Sequence, residues 1–136
     1  MRKSIDRYKW VAWATLAFAF LIVFFHRYAT AVVADDLTRD LGLSGSQLSL
    51  LASMYFYAYA LMQIPSGILA DYVGPRRSAT AGMLLAALGA LIFSMATQAG
   101  WAYLGRLLVG IGVGAIFSCT LKMQSTWFRA SEFATI

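Results

Sequence analysis

Two arginines, Arg27 and Arg106, stand inside long apolar runs of this 136-residue chain. A guanidinium stays charged and presents its N–H donors as a planar fork, which holds a carboxylate or phosphate through two parallel bonds. Inside a bilayer such a cation costs about 3 kcal/mol on insertion scales. All six acids, Asp6, Asp35, Asp36, Asp40, Asp71 and Glu132, lie outside the apolar runs or at their ends. The counter-charge must then come from an anionic solute, from an acid in helices outside this chain, or from water. Two plainer arrangements stay open: Arg27 can snorkel to the headgroups, and Arg106 can bond backbone carbonyls of a neighbouring helix.

Other side chains could serve the same chemistry. His26 titrates near neutral pH in its unperturbed state and could carry a proton. It lies about 100° from Arg27 around a helix, so the two need not face one space, and a hydrogen-bonded interhelical role is the one favoured for His26. Tyr55 and Tyr59 are one helical turn apart and can offer hydroxyls to a polar solute, or pack against neighbouring helices. Gly110 and Gly114 follow Arg106 on one face and let another backbone approach closely. Gly82, Ala86 and Ala90 repeat that small-residue spacing. Cys119 is a lone small residue in an apolar helix. No catalytic triad, phosphate loop or metal-ligand set is present in the sequence, so neither an enzyme nor a cofactor is expected.

The elements that carry these residues follow from composition. The chain is 60% hydrophobic and 12% charged, with a mean hydropathy of +0.68, against about 25% charged residues in a soluble domain. Four apolar runs, 10–34, 47–70, 79–97 and 101–121, are each long enough for a helix across a bilayer core of roughly 30 Å. Lipid leaves helices or closed barrels as the only spanning forms, and the runs lack the alternation of barrel strands. The fold class is therefore all-α, a polytopic membrane protein. Ser44 with Gln47 reads as a capping box opening the second run. Gly74-Pro75 marks a tight turn after it, and Pro65 can kink the helix before that turn.

Charge gives the orientation. Arg2, Lys3, Arg7 and Lys9 precede the first run, Arg76 and Arg77 lie between the second and third, and Lys122 and Arg129 follow the fourth. The other side carries only Arg39. Both termini are then cytoplasmic. The net charge of +5 sits mostly on that side and could attract anionic lipid; nothing points to nucleic acid.

The stretch SGILADYVGPRR places Gly67, Asp71, Gly74, Arg76 and Arg77 at the spacing G-x-x-x-D-x-x-G-x-R-R. It resembles the signature of major facilitator superfamily transporters, which runs between their second and third helices. The departure is Tyr72, where that family usually has a basic residue. YALMQIPSG before the signature and GRLLVGIGVGA in the fourth run resemble the same family. So, in part, does FFHRYATAVV, which is similar to the Arg-bearing first helix of its organic anion symporters, with His26 and Ala29 where an acid and an Asn are common.

The resemblance implies twelve helices in two six-helix halves, with the substrate between them near the bilayer midplane. Residues 1–136 would be an incomplete N-terminal transporter domain. The expected function is a secondary transporter of a small anionic organic solute, coupled to protons, in the bacterial inner membrane. Arg27, His26, Tyr55, Tyr59 and Arg106 form the candidate substrate set. Gly67, Asp71, Gly74, Arg76 and Arg77 form the candidate cytoplasmic latch. Expected partners are that solute, protons, the bilayer and the remaining helices. A drug exporter of the same family, and a self-assembling four-helix membrane protein without transport, are the alternatives.

Overall fold

A computed structural model describes the backbone of residues 2–128 and the side chains of residues 8–128. The side chains of Arg2, Lys3, Asp6 and Arg7, and all of Arg129 and Glu132, lie outside the described residues. The described chain is helical apart from short connections. Its helices are α1 (Arg2–Val32), α2 (Ala34–Leu41), α3 (Gly45–Tyr72), α4 (Pro75–Ser94) and α5 (Ala99–Trp127).

The first apolar run ends earlier than expected, because the backbone turns at Val33 (φ −100°, ψ 15°) and restarts as the short helix α2. Asp35 and Asp36 fall in the first turn of α2, where negative charge favours the partial positive end of a helix. Gly42 then closes α2 in the left-handed conformation at φ 64°, which glycine adopts without a Cβ penalty. Leu37 and Leu41 of α2 pack with Leu43, Leu51 and Ala102, tying α2 to one end of the bundle.

The capping box forms as the sequence suggests. Gln47 N–H donates to the Ser44 hydroxyl, and Ser44 N–H donates to Gln47 Oε1 at 2.8 Å. At the far end of α3 the chain reverses at Gly74 (φ 95°), and Pro75 opens α4, where its missing N–H goes unused.

Among the described residues, three helical stretches, Tyr8–Val32, Pro75–Ser94 and Ala99–Trp127, are long and apolar enough to cross a membrane. The expected fourth, in α3, has 28 residues, about 42 Å at 1.5 Å per residue. Length is therefore not its obstacle. Tyr55, Tyr57, Tyr59, Gln63 and several serines lower its mean hydropathy.

Helix α5 is the centre of the bundle. Of its most apolar window 56% is buried, against 11% for α1. Lipid tails are as apolar as leucine, so helices in a membrane associate by close packing rather than by hydrophobic transfer. The glycines of α5 provide that closeness. A Cβ on Gly82 of α4 would lie 2.6 Å from the Gly112 carbonyl oxygen, and a Cβ on Gly110 would lie 2.6 Å from the Tyr55 carbonyl oxygen of α3. Helix α1 leans on this core through Ala19 and Val23, which meet Tyr55, Val109, Val113 and Ile116.

Candidate functional site

Arg106 occupies the middle of the α1, α3 and α5 junction at 1% exposure. Gly105 before it and Gly110 after it hold the backbones of α4 and α3 against α5, so the long side chain has one way to run, toward α1. There Nη2 donates to the His26 carbonyl oxygen at 2.9 Å. The Cζ atom lies 5.1 Å from the Tyr55 ring centre and 5.6 Å from that of Phe93, within range for cation–π attraction on both. Its Nε has no hydrogen-bond partner.

Tyr55, 2% exposed, donates its hydroxyl to the Val23 carbonyl oxygen at 3.2 Å. Arg106 and Tyr55 thus grip two carbonyls one turn apart on α1. The Tyr59 ring stacks on Tyr55 at 6.3 Å between centres. Among the alternatives open for Arg106 and Tyr55, the observed arrangement is bonding to a neighbouring helix.

Arg27 follows His26 in the chain but points elsewhere. It is exposed, with Cζ 5.3 Å from the ring centre of Phe56 on α3. His26 is half-buried, its ring set edge-on against Phe25. Neither Arg27 nor Arg106 forms an ion pair among the described residues; the ion pairs described are Arg39–Asp36 and Lys122–Asp71. The α2-bearing end of the bundle therefore holds two cations, on the apolar helices α1 and α5, whose described partners are rings and one backbone carbonyl.

The opposite end is built differently. Asp71, near the end of α3, pairs through Oδ1 with Lys122 Nζ of α5 at 2.7 Å, and both side chains are about half exposed. Arg76 and Arg77 are exposed in the first turn of α4, and they share with Asp71, Lys122 and Trp127 the wall of an open pocket of about 400 Å³. The ion pair described for Asp71 is with Lys122 of α5, and not with Arg76 or Arg77 of its own signature. Gly67 faces open space, since a Cβ built there meets nothing within 4 Å. Ser78 fastens the corner by donating its hydroxyl to the Leu69 carbonyl oxygen at 3.0 Å.

In the sequence Lys122 bears on orientation alone. Its signal was available, since it stands at the same end of the fourth run as Asp71 does of the second. Phe56, Phe93 and Thr30 carried no such signal, because nothing in an apolar run tells which ring faces a cation or which hydroxyl is buried.

The sequence profile of the Major Facilitator Superfamily matches residues 16–135. The chain belongs to this superfamily. Among curated relatives, a protein of Escherichia coli K12 named "Probable L-galactonate transporter" is 30% identical over 128 residues, 94% of this chain and 28% of its own length. "Nitrate/nitrite transporter NrtP" of Picosynechococcus is 32% identical over 118 residues, 87% of this chain and 22% of its own. "Probable sulfoacetate transporter SauU" of Cupriavidus necator is 28% identical over 113 residues, 83% of this chain and 26% of its own. The chain spans about a quarter of the length of these superfamily members. No solved structure matches it. Membership and the long apolar helices make it a multi-pass membrane protein.

Proposed function

We propose that the chain is part of the first half of a secondary transporter that moves a small anion, coupled to protons, across the bacterial inner membrane by alternating access. In this reading α3 is a fourth span beside α1, α4 and α5, and the N-terminus is cytoplasmic, so the α2 end faces out and the Gly74 turn faces in. The carrying observation is the pair of membrane-depth arginines, Arg27 and Arg106, with no acidic partner among the described residues. A relative named for L-galactonate, one for sulfoacetate and one for nitrate and nitrite support it, since each of those solutes is an anion.

The two arginines take different parts. Arg27 is exposed and beside an aromatic ring, so its fork is free to meet a solute. Arg106 is enclosed and holds α1 in place through the His26 backbone. Tyr59 lines the approach, and His26 is the single histidine of the chain and the group we assign to proton movement. At the inner end Gly67, Asp71, Gly74, Arg76 and Arg77, with Lys122, form the latch against the second half.

The test uses the intact transporter in detergent, with calorimetric titration of L-galactonate, sulfoacetate, nitrate and inorganic phosphate. A charge-assisted hydrogen bond contributes about 1.5–3 kcal/mol, so Arg27→Gln should weaken the preferred anion roughly tenfold to a hundredfold. Arg27→Lys should weaken it less, since it keeps the charge and loses the fork. Unchanged affinity for every anion in Arg27→Gln would remove Arg27 from the substrate site.

A further inference from the structure

Threonine within a helix commonly returns its hydroxyl to the carbonyl four residues back. Thr15, Thr38, Thr80, Thr120 and Thr126 all do so here, at 2.8–3.0 Å. Thr30 does not. It is 4% exposed, and its hydroxyl has no partner. The carbonyl four residues before Thr30 is that of His26, the one that Arg106 Nη2 occupies.

Both polar atoms left unpaired among the buried described side chains, Thr30 Oγ1 and Arg106 Nε, therefore belong to residues that compete for one acceptor. The His26 carbonyl already receives the helical N–H of Thr30, and with Nη2 it has a donor on each lone pair. A third donor has no good approach. An orphan hydroxyl in an apolar interior is costly, so a partner exchange that satisfies it is favoured whenever Arg106 moves away.

We propose that the His26 carbonyl is an exchange point on α1, held by Arg106 in the arrangement described above and by the Thr30 hydroxyl once an anion draws the guanidinium off. This rests on the anion reading above. A carbonyl offers the guanidinium only a dipole, whereas a carboxylate or phosphate adds a full opposite charge and accepts two parallel N–H bonds. The spare Nε–H of Arg106 completes a fork for such an acceptor. The exchange takes an anion that meets both guanidiniums, since its arrival then attracts Arg106 and loosens one of the two grips on α1. Thr30 then lowers the cost of release, because the vacated carbonyl takes up a donor already in place. Thr30 is in this sense a positioning residue: it acts through Arg106 and need not touch the solute.

The exchange predicts effects of opposite sign from one substitution. In the full-length transporter Thr30→Val removes the orphan hydroxyl at nearly constant volume, so the ligand-free protein should melt at a higher temperature. The same variant leaves the vacated carbonyl without its replacement donor, so the anion of the panel bound tightest by the wild type should bind about three- to tenfold more weakly, the equivalent of one neutral hydrogen bond. Thr30→Ser restores the hydroxyl and should return the affinity to that of the wild type. In an Arg106→Met background, where no exchange takes place, Thr30→Val should leave anion affinity unchanged.

Three outcomes would overturn the exchange. One is wild-type affinity in Thr30→Val while the wild type binds an anion. Another is a Thr30→Val protein that both melts lower and binds more weakly, the pattern of a merely structural hydroxyl. The third is a failure of Thr30→Ser to restore binding. A wild type that binds none of the anions overturns the anion reading itself, and the exchange with it, and so is distinguishable from these.

Discussion

The two ends of the bundle handle charge in opposite ways. At the α2 end a guanidinium at 1% exposure is held by a carbonyl and two rings. At the Gly74 end a carboxylate and an ammonium, both about half exposed, meet directly at 2.7 Å. The second arrangement is the more intuitive and the weaker one, since an exposed ion pair contributes at most about 1 kcal/mol and is screened by salt. The first has far more at stake, because a buried charge without an opposite charge leaves the chain one counter-ion short. Charge at one end is thus a matter of surface chemistry, and at the other it creates a demand for a partner.

The sharpest contrast comes from two glycines. Gly112→Ala at the α4–α5 seam drives a Cβ into Gly82 and Ala86, and overpacking of this kind costs typically about 1–3 kcal/mol. Gly67→Ala in the signature meets nothing within 4 Å, so it should leave the fold intact or stabilise it by up to about 1 kcal/mol through helix propensity. Thermal melting of both variants checks the pair. Equal destabilisation would mean that Gly67 is already packed and that the corner is not open.

Next in size is the clip on α1. Tyr55→Phe deletes the bond to the Val23 carbonyl and should cost about 0.5–1.5 kcal/mol. It should also broaden the distance between spin labels placed on α1 and α5. A label distance as narrow as in the wild type would show that Arg106 alone fixes α1.

Smallest is Lys122→Met, which removes the partner of Asp71. It should change stability by less than about 1 kcal/mol, and that difference should vanish in about 1 M salt. A larger, salt-insensitive loss would erase the contrast between the two ends.

Much of the frame was legible in the residues. Ser44 and Gln47 announce the start of α3, and Gly74-Pro75 announces the reversal into α4, because both signals are local and depend on few atoms. Gly110 could be read as a close-approach site for the same reason. The break at Val33 was not legible, since Val33 is an ordinary β-branched residue and the reason for the turn lies partly in how Leu37 and Leu41 find Leu43 and Ala102.

At the site, the presence of two unpaired cations could be read directly, because it is a statement about where the six acids of the chain fall. What each cation touches could not. Phe56 and Phe93 lie far from Arg27 and Arg106 in the chain, and which ring meets which guanidinium is set by helix rotation. The competition for the His26 carbonyl likewise needs α5 and α1 in register, and no sequence spacing encodes it.

The central claim is that Arg27 and Arg106 await an anion, and the most direct measurement is charge discrimination by the wild type. The intact transporter, titrated in a calorimeter with its preferred carboxylate and with the corresponding neutral amide, should bind the carboxylate at least about tenfold more tightly, as the loss of one charge-assisted bond requires. Equal affinity for the amide would contradict the claim, because a site with an unmet positive charge cannot be indifferent to the charge of what enters it.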